Sequence, residues 1–275
     1  MKIFRSLLVL ALVLGLAGVA AAQFGRRGGF GRRATARFPT AETFGHGFNF
    51  CRAIYTSTQR EAGGQGWSTD YPDADLNFSI RFSELTRTRV SFDTRGTPDF
   101  VTVRLTDDAL FQCPYLHMED VGTATFSEAE VEALRAYLLK GGFLWVDDFW
   151  GSYAWAAWTS QIGRVLPAAD YPIFDITPEH PIYRAQFVIE EFPQIPSIQS
   201  WRGRPSETSE RGYDSETPHF RAIADPRGNI MVLMTHNTDI SDAWEREGED
   251  PQYFYLFSPK GYAVGINSLL YAMTH

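Results

Sequence analysis

The sequence predicts an α/β fold, in which helices cover both faces of a mostly parallel sheet and make a three-layer sandwich. Short apolar runs that suit buried strands alternate with segments of helical periodicity. One helical segment in the middle of the chain has both a start and a stop signal, and a continuous apolar run follows it directly. Continuous apolar strands are typical of parallel sheets that are covered on both faces.

The predicted elements follow in chain order. Strands are predicted at 48–55, 100–105, 110–116, 143–146 and 230–234, and helices at 75–85, 127–140, 152–165 and 262–273. The helix at 127–140 has the clearest signals, because Ser127 and Glu130 have capping-box spacing and Gly141-Gly142 supplies the stop. The stretch 167–217 contains Pro, Ser and Gly and is predicted to be irregular.

The N-terminal residues have the pattern of a secretory signal peptide. Lys2 and Arg5 precede an apolar run from Leu7 to Leu16, and small residues follow it up to Ala22. The run is shorter than the roughly 20 residues that span a bilayer, which favours a cleaved signal over a retained anchor. We therefore predict a signal peptide at 1–22 and a periplasmic or secreted protein without a membrane span after cleavage.

A Gly-rich basic arm is predicted at 23–43, followed by a single α/β domain at 44–275. The arm contains five arginines and one glutamate, whereas the whole chain has 25 basic and 33 acidic residues. The domain is therefore strongly acidic, which argues against nucleic-acid binding, since that needs a concentrated basic surface. The arm is interpreted either as a solvated tether or as a contact to anionic envelope polymers or lipid headgroups.

The two cysteines, Cys51 and Cys113, both lie in apolar strand-like segments. Outside the cytoplasm a disulfide is allowed, but two buried free thiols fit the sequence at least as well. The chain has no C-x-x-C pair, so we do not expect a metal bound by cysteine.

Acidic and imidazole side chains, with one tryptophan, collect where three predicted strands end. This candidate ligand-binding set consists of His117, Glu119, Asp120, Asp147, Asp148, Trp150, His236 and Asp239. Because parallel sheets bind ligands beyond the carboxyl ends of their strands, we expect these residues to share one site. Carboxylates and imidazoles together can hold a divalent cation or pair a general acid with a base, and no other cofactor is indicated. For each residue taken alone, a helix cap or a surface role is the alternative.

The turn after the strand at 143–146 contains several of these residues. Asp147 and Asp148 are adjacent, and adjacent strand residues point to opposite faces, so both reach one ligand only if the strand has turned. Trp150 is the aromatic residue of this region that we expect to be exposed and able to stack on a sugar. Ser152 is interpreted as a helix N-cap and not as a nucleophile, because no G-x-S-x-G motif surrounds it.

Charged residues near the first predicted helix need separate interpretations. Asp70, Asp73 and Asp75 could form a calcium loop, but they lack the Gly and the terminal Glu of an EF-hand. We therefore expect Asp73 or Asp75 to cap the helix. Arg52 lies within an apolar strand and is expected to have a carboxylate partner.

Four stretches, 67–78, 85–90, 138–149 and 234–240, resemble the bacterial domain-of-unknown-function family numbered 4159. The resemblance implies a divergent class I glutamine amidotransferase-like fold, which is a flavodoxin-like sandwich. In true amidotransferases, a nucleophilic cysteine occupies the sharp turn after the strand that follows a Gly-Gly pair. Here that turn, at 147–151, contains no cysteine, so the resemblance does not imply glutaminase activity. Relatives that have lost the cysteine include sugar-related and trimer-forming domains.

Two classes of function follow from these observations. The first is a noncatalytic exported domain that binds a carbohydrate, an envelope polymer or a partner protein at the strand ends, and it is favoured because no complete catalytic set can be specified. The second is a hydrolase, metal-dependent in one form, that uses Asp147 or Asp148 with His117 and His236. A scaffold that only mediates interactions is a third interpretation.

Overall fold

A computed structural model describes residues 35–275 of the protein. Residues 36–275 form one compact unit. The predicted signal peptide at 1–22 and the predicted basic arm up to residue 34 lie outside the described residues. No helix within residues 35–275 is both long enough and apolar enough to cross a bilayer.

A seven-stranded sheet forms the middle layer, and a separate pair of short strands lies beside it. The strands are β1 (Phe50–Ile54), β2 (Thr56–Ser57), β3 (Phe100–Arg104), β4 (Tyr115–Glu119), β5 (Ala124–Thr125), β6 (Phe143–Phe149), β7 (Phe174–Asp175), β8 (His219–Ala224) and β9 (Ile230–His236). The order across the large sheet is β3-β1-β4-β6-β9-β8-β7, and β2 pairs with β5. The first five strands of that order are parallel, whereas β8 runs antiparallel to both of its neighbours. The prediction of a mostly parallel sheet is confirmed.

Helices cover both faces of the sheet. They are α1 (Asp73–Leu85), α2 (Glu128–Leu139), α3 (Gly151–Val165), α4 (Ile198–Gly203), α5 (Asp242–Glu245) and α6 (Pro251–Thr274). One buried cluster includes Phe78 of α1 and Leu269 of α6, and a second includes Leu134 of α2 and Trp158 of α3. Each cluster contains inward-facing residues of the parallel strands, so the sheet separates two apolar layers. The α/β fold with helices flanking the sheet is therefore confirmed.

The starts of two helices show where local sequence signals are sufficient to predict a helix boundary and where they are not. Helix α2 begins with the predicted capping box: Ser127 Oγ accepts a hydrogen bond from Glu130 N at 3.3 Å, and the Glu130 carboxylate accepts one from Ser127 N at 2.8 Å. Helix α6, in contrast, begins at Pro251, far before the predicted start at residue 262. Asp250 caps it, and Pro251 occupies the first helical position, where its missing N–H costs nothing.

Two glycines let α6 pack closely against its neighbours. A Cβ at Gly265 would lie 2.5 Å from Trp244 Cζ2 and 2.7 Å from Phe78 Cε2, and a Cβ at Gly261 would lie 2.7 Å from Ala243 Cβ. Real Cβ atoms do not approach this closely, so these positions accept only glycine without a shift of the neighbours. Gly261 and Pro259 also argue locally against a helix, so a propensity-based prediction misses the first half of α6.

Three strand predictions need correction. The predicted strand at 110–116 is wrong in its first half, because Asp108–Gln112 is a 3-10 helix and β4 begins only at Tyr115. Strands β6 and β9 continue through polar residues to Phe149 and His236. A prediction from apolar runs stops at the first polar side chain, whereas the backbone pairing continues because Asp147, Thr235 and His236 are buried and hydrogen-bonded.

Cys51 of β1 and Cys113, which precedes β4, form a disulfide. Strands β1 and β4 are neighbours in the sheet, and the two Cα atoms lie 6.0 Å apart, a separation that is typical of disulfides. The alternative of two buried free thiols is therefore wrong.

Candidate functional site

The carboxyl ends of β4, β6 and β9 lie side by side and bring the predicted set to one edge of the sheet, which we call the strand-end edge. Asp148 is half-buried, and the other members are buried: His117, Glu119, Asp120, Asp147, Trp150, His236 and Asp239. Trp150 is only 3 % exposed, and its Nε1 donates to Asp148 Oδ1 at 2.9 Å. The prediction that Trp150 is exposed for stacking on a sugar is therefore wrong.

Arg52 forms a fully buried ion pair with Asp75 below this edge. Its Nε lies 3.0 and 3.1 Å from the two carboxylate oxygens, and its Nη1 donates to the Thr69 carbonyl at 3.0 Å. The carboxylate partner predicted for Arg52 is confirmed. The prediction that Asp73 or Asp75 caps α1 is wrong, because Pro72 is the N-cap residue and Asp75 is committed to Arg52.

Glu119 joins this ion pair to His117. Its Oε1 lies 2.5 Å from His117 Nε2 and 3.6 Å from Arg52 Nη2. Burial alone would raise the pKa of Glu119, but the charge and hydrogen bond of His117, followed by the charge of Arg52, lower it below its ordinary value. The second nitrogen of His117, Nδ1, lies 3.0 Å from the Tyr115 hydroxyl. Both ring nitrogens are thus engaged, and His117 has no free nitrogen to offer a metal.

Asp147 and Asp148 have different surroundings, although they are adjacent. Asp147 Oδ1 accepts from Thr235 Oγ1 at 2.5 Å, and its Oδ2 accepts from Ser241 N at 2.9 Å. Burial, followed by the charge of Glu119, raises the pKa of Asp147 well above its ordinary value. Asp148 has a φ of 51°, and the pairing of β6 with β9 shifts register around it. The strand is therefore irregular at Asp148 and departs there from strict alternation between the two faces of the sheet. Such a departure is needed if Asp147 and Asp148 are both to reach one ligand.

Four residues at the strand-end edge have left-handed backbone conformations. Asp70, Asp120, Asp148 and Asn237 have φ values of 60°, 50°, 51° and 60°, and they are the positive-φ residues other than glycine within residues 35–275. This conformation costs roughly 1–2 kcal/mol in an ordinary residue and less in Asp or Asn. Strained conformations of this kind collect at binding and catalytic sites.

His117 and His236, which the hydrolase hypothesis combines, lie on opposite faces of the sheet. The His117 ring packs 5.2 Å from the Trp145 ring, within the cluster that includes α1 and α6. The His236 ring packs 4.9 Å from Phe149 and 5.0 Å from Trp155, on the α3 side. Burial lowers the pKa of His236 to about 4. The structure does not bring the two imidazoles together.

A cluster of three carboxylates, absent from the predicted set, lies where α1 and α5 begin. Asp70, Asp242 and Glu245 each offer an oxygen atom within 4.8 Å of the other two, and we call them the carboxylate triad. Asp242 Oδ2 also accepts from Ile198 N at 2.7 Å and from the Tyr253 hydroxyl at 2.9 Å. Asp70 belongs to the acidic loop noted in the sequence, but nothing in the sequence connected that loop to α5.

Burial raises the pKa of each carboxyl group of the triad. It raises the pKa of Asp242 to about 6 and, with the charge of Asp242, the pKa of Glu245 to about 7. Burial and the charges of Glu245 and Asp242 raise the pKa of Asp70 well above its ordinary value. Burial, followed by the charges of Asp148 and Asp70, also raises the pKa of Asp239 well above its ordinary value. The strand-end edge therefore has a strongly negative potential when these groups ionise.

Glu61 and Asp120 form a second carboxyl pair at the same edge. Glu61 Oε1 accepts from Trp150 N at 2.8 Å and Asp120 Oδ2 accepts from Gly66 N at 2.7 Å, while Glu61 Oε2 and Asp120 Oδ1 are buried without a hydrogen-bond partner. Burial, followed by the charge of Asp120, raises the pKa of Glu61 to about 8, and burial raises the pKa of Asp120 to about 6. Glu61 lies in a loop without a strand-end signal, so the sequence did not place it here.

Side chains from three distant segments occupy the N-terminus of α3. The backbone N–H groups of residues 150–152 donate in turn to Glu61 Oε1, Asn237 Oδ1 and Asp214 Oδ2, at 2.8, 2.8 and 2.9 Å. The prediction that Ser152 is the N-cap of α3 is therefore wrong. Ser152 lies in the first turn of the helix, and its hydroxyl also bonds to Asp214. These acceptors take up the N–H groups that a helix N-terminus otherwise offers to an anion.

Two tyrosines are exposed where α3 begins. Tyr153 is 70 % exposed and Tyr213 is 93 % exposed. Tyr213 precedes Asp214, and Tyr153 follows Ser152, so the hydrogen bonds between Asp214 and Ser152 hold the two tyrosines on neighbouring segments. We call Tyr153 and Tyr213 the aromatic rim.

Comparison with known proteins identifies the family. The family model described as Domain of unknown function (DUF4159) matches residues 53–273, whereas no curated protein matches the chain significantly. The matched region extends from β1 into the last turn of α6 and contains the carboxylate triad, the Glu61–Asp120 pair and the aromatic rim. The chain therefore belongs to the DUF4159 family.

Proposed function

We propose that this protein is an exported, noncatalytic binding domain that takes a carbohydrate or another hydroxyl-rich envelope polymer at the aromatic rim. The observation that carries the proposal is the exposure of Tyr153 and Tyr213 on neighbouring segments of the strand-end edge. A tyrosine ring offers an apolar face and a polar tip, which suits stacking on a sugar ring and bonding to its hydroxyl groups.

Two features support export to the periplasm or to the medium. The first is the signal-like pattern of residues 1–22. The second is the Cys51–Cys113 disulfide, because disulfides persist in oxidising compartments and are rare in the cytoplasm.

The proposed fold relationship is to class I glutamine amidotransferase-like, flavodoxin-like sandwiches. Numbered along the chain, the five parallel strands have the order 2-1-3-4-5, which is the flavodoxin-like order. In this comparison, the turn at Asp148 corresponds to the sharp turn that holds the nucleophilic cysteine of the amidotransferases. A carboxylate at that position cannot perform thiolate chemistry, so we do not propose the glutaminase activity of the amidotransferases for this chain.

The metal-dependent hydrolase that uses Asp147 or Asp148 with His117 and His236 is the weaker candidate. His117 has no free ring nitrogen, and His236 lies on the other face of the sheet. In this arrangement the two imidazoles cannot bind one metal ion together, so we do not pursue that proposal further.

Polysaccharide binding by rim variants tests the proposal. Affinity electrophoresis with soluble polysaccharides and co-sedimentation with insoluble envelope material would be compared for the wild-type protein and for the double variant Tyr153→Ala/Tyr213→Ala. We expect at least a tenfold weaker retention for the double variant. Tyr255→Ala is the matched control, because Tyr255 is 78 % exposed but lies on α6. Equal binding by the double variant, or no binding by the wild-type protein to any of these polymers, would refute the proposal.

A further inference from the structure

We infer that the carboxylate triad, Asp70, Asp242 and Glu245, is a calcium-binding site. This site does not depend on polymer binding at the aromatic rim, and each can be tested without the other. It consists of residues that neither the fold nor the family match connects with a metal.

The spacing of the triad suits one calcium ion. Calcium binds oxygen at about 2.3–2.6 Å, so two ligands on opposite sides of the ion lie about 4.6–5.2 Å apart. The three carboxylate oxygens all lie within 4.8 Å of one another, a spacing that three ligands of one such ion can have. Magnesium needs ligands at about 2.0–2.1 Å in strict octahedral geometry, and three protein carboxylates around it are unusual. Oxygen ligands alone also disfavour zinc and copper, which prefer nitrogen and sulfur.

A buried oxygen without a donor provides a second observation. Asp70 is only 8 % exposed, and no group in residues 35–275 donates a hydrogen bond to its Oδ2. A buried carboxylate oxygen without a partner is costly, and most such atoms in folded proteins are bonded. One oxygen of Asp70 lies within 4.8 Å of oxygens of Asp242 and Glu245, and ionised carboxylates at this spacing repel one another unless a cation lies between them.

The charges around the triad leave room for a divalent cation. Arg246 Nε lies 2.8 Å from Glu245 Oε2 and 3.5 Å from Asp242 Oδ1, so one guanidinium pairs with two of the three triad carboxylates. When all are ionised, two negative charges are in excess, and one calcium ion balances them. Asp148 and Asp239 lie near enough to make the potential more negative still. One proton bound by the triad would neutralise only one of these two excess negative charges.

Calcium titration of the purified full chain tests the site in the absence of any polymer. After treatment with EGTA at pH 8, CaCl2 is added up to about 10 mM, which covers the range of extracellular calcium sites. We expect the Tm to rise by about 5 °C at saturation, isothermal titration to give one site per chain, and MgCl2 to give a smaller shift.

Two variants at the triad and two controls make the result specific. Asp70→Asn and Glu245→Gln remove one negative charge each, and both are expected to abolish the calcium shift. Without calcium, Asp70→Asn is expected to raise the Tm, because it relieves repulsion between buried carboxylates. Asp108→Asn and Glu132→Gln change exposed carboxylates elsewhere and should leave the calcium shift unchanged.

Terbium luminescence provides a readout that needs no variant. Terbium replaces calcium at oxygen sites, and the Tyr253 hydroxyl lies 2.9 Å from Asp242 Oδ2, so excitation of this ring should sensitise a bound terbium ion. Calcium should then displace the signal. No calcium shift and no calcium-displaceable luminescence in the wild-type protein would overturn the inference, as would a calcium shift that persists in both triad variants. Either result leaves polymer binding at the aromatic rim to its own test.

Discussion

Arg52 and Asp75 form an ion pair in which neither side chain is exposed to solvent. Replacing Arg52 by Met leaves Asp75 and Glu119 buried without their guanidinium partner, so we expect a loss of about 3–5 kcal/mol in the free energy of unfolding. Urea denaturation at pH 7 measures it. Arg87→Met is the control. Arg87 is exposed, so its replacement should lower the free energy of unfolding by less than about 1 kcal/mol. Equal losses of unfolding free energy for the two variants would mean that Arg52 does not stabilise the buried charges of Asp75 and Glu119.

The Cys51–Cys113 disulfide closes a loop with a sequence separation of 62 residues. In the chain-entropy account, a cross-link of this length stabilises the native state by about 4 kcal/mol. We expect the double variant Cys51→Ala/Cys113→Ala to lose roughly that amount in chemical denaturation, and dithiothreitol to lower the Tm of the wild-type protein. A wild-type Tm that does not respond to the reductant would contradict this prediction.

The Glu61–Asp120 pair predicts how stability depends on pH. Burial raises the pKa of Glu61 from its ordinary 4.5 to about 8, so between these values the native state binds more protons than the unfolded chain does. Stability from this group is therefore fully present below about pH 4.5 and is lost as the pH rises to about 8. Calcium-free protein should show a falling Tm between pH 5 and pH 8, and Glu61→Gln should flatten that slope. A wild-type Tm that rises over this range would contradict the assigned direction.

Gly265 sets the distance between α6 and its neighbours. Gly265→Ala introduces a Cβ that would lie 2.5 Å from the Trp244 ring, and we expect overpacking to cost about 1–3 kcal/mol despite the better helix propensity of alanine. Gly163→Ala is the control. Gly163 lies in α3 with no atom within 4 Å of its would-be Cβ, so this change should stabilise the protein by about 0.5–1 kcal/mol. Thermal denaturation of both variants should give opposite signs; the same sign would refute the packing argument.

Local signals determined how much of the fold could be predicted from the sequence. Helix α2 was predicted correctly because Ser127 and Glu130 act on each other within one turn. Helix α6 was predicted only in its second half, because Pro259 and Gly261 argue locally against a helix that tertiary packing nevertheless stabilises. The polar ends of β6 and β9 were missed for a related reason, since their carboxylate and imidazole groups are bonded by partners far away along the chain.

The candidate site was predictable only where strand ends revealed it. Asp147 and Asp148 were singled out because they follow an apolar run, and the structure places both at the strand-end edge. Glu61, Asp242 and Glu245 were missed because a loop and a four-residue helix bring them to that edge. Long-range contacts of this kind leave no periodic pattern in a single sequence.

The left-handed aspartates have a consequence for how the site can be dissected. At Asp70, Asp120 and Asp148 the backbone itself would accept asparagine, which tolerates this conformation as well as aspartate does. Conformation therefore accounts for a short polar side chain at these three positions but not for its charge. Exchange of each acid for its amide removes one ionisable group while the main chain keeps its course, so the chemistry of the edge can be separated from its shape one charge at a time.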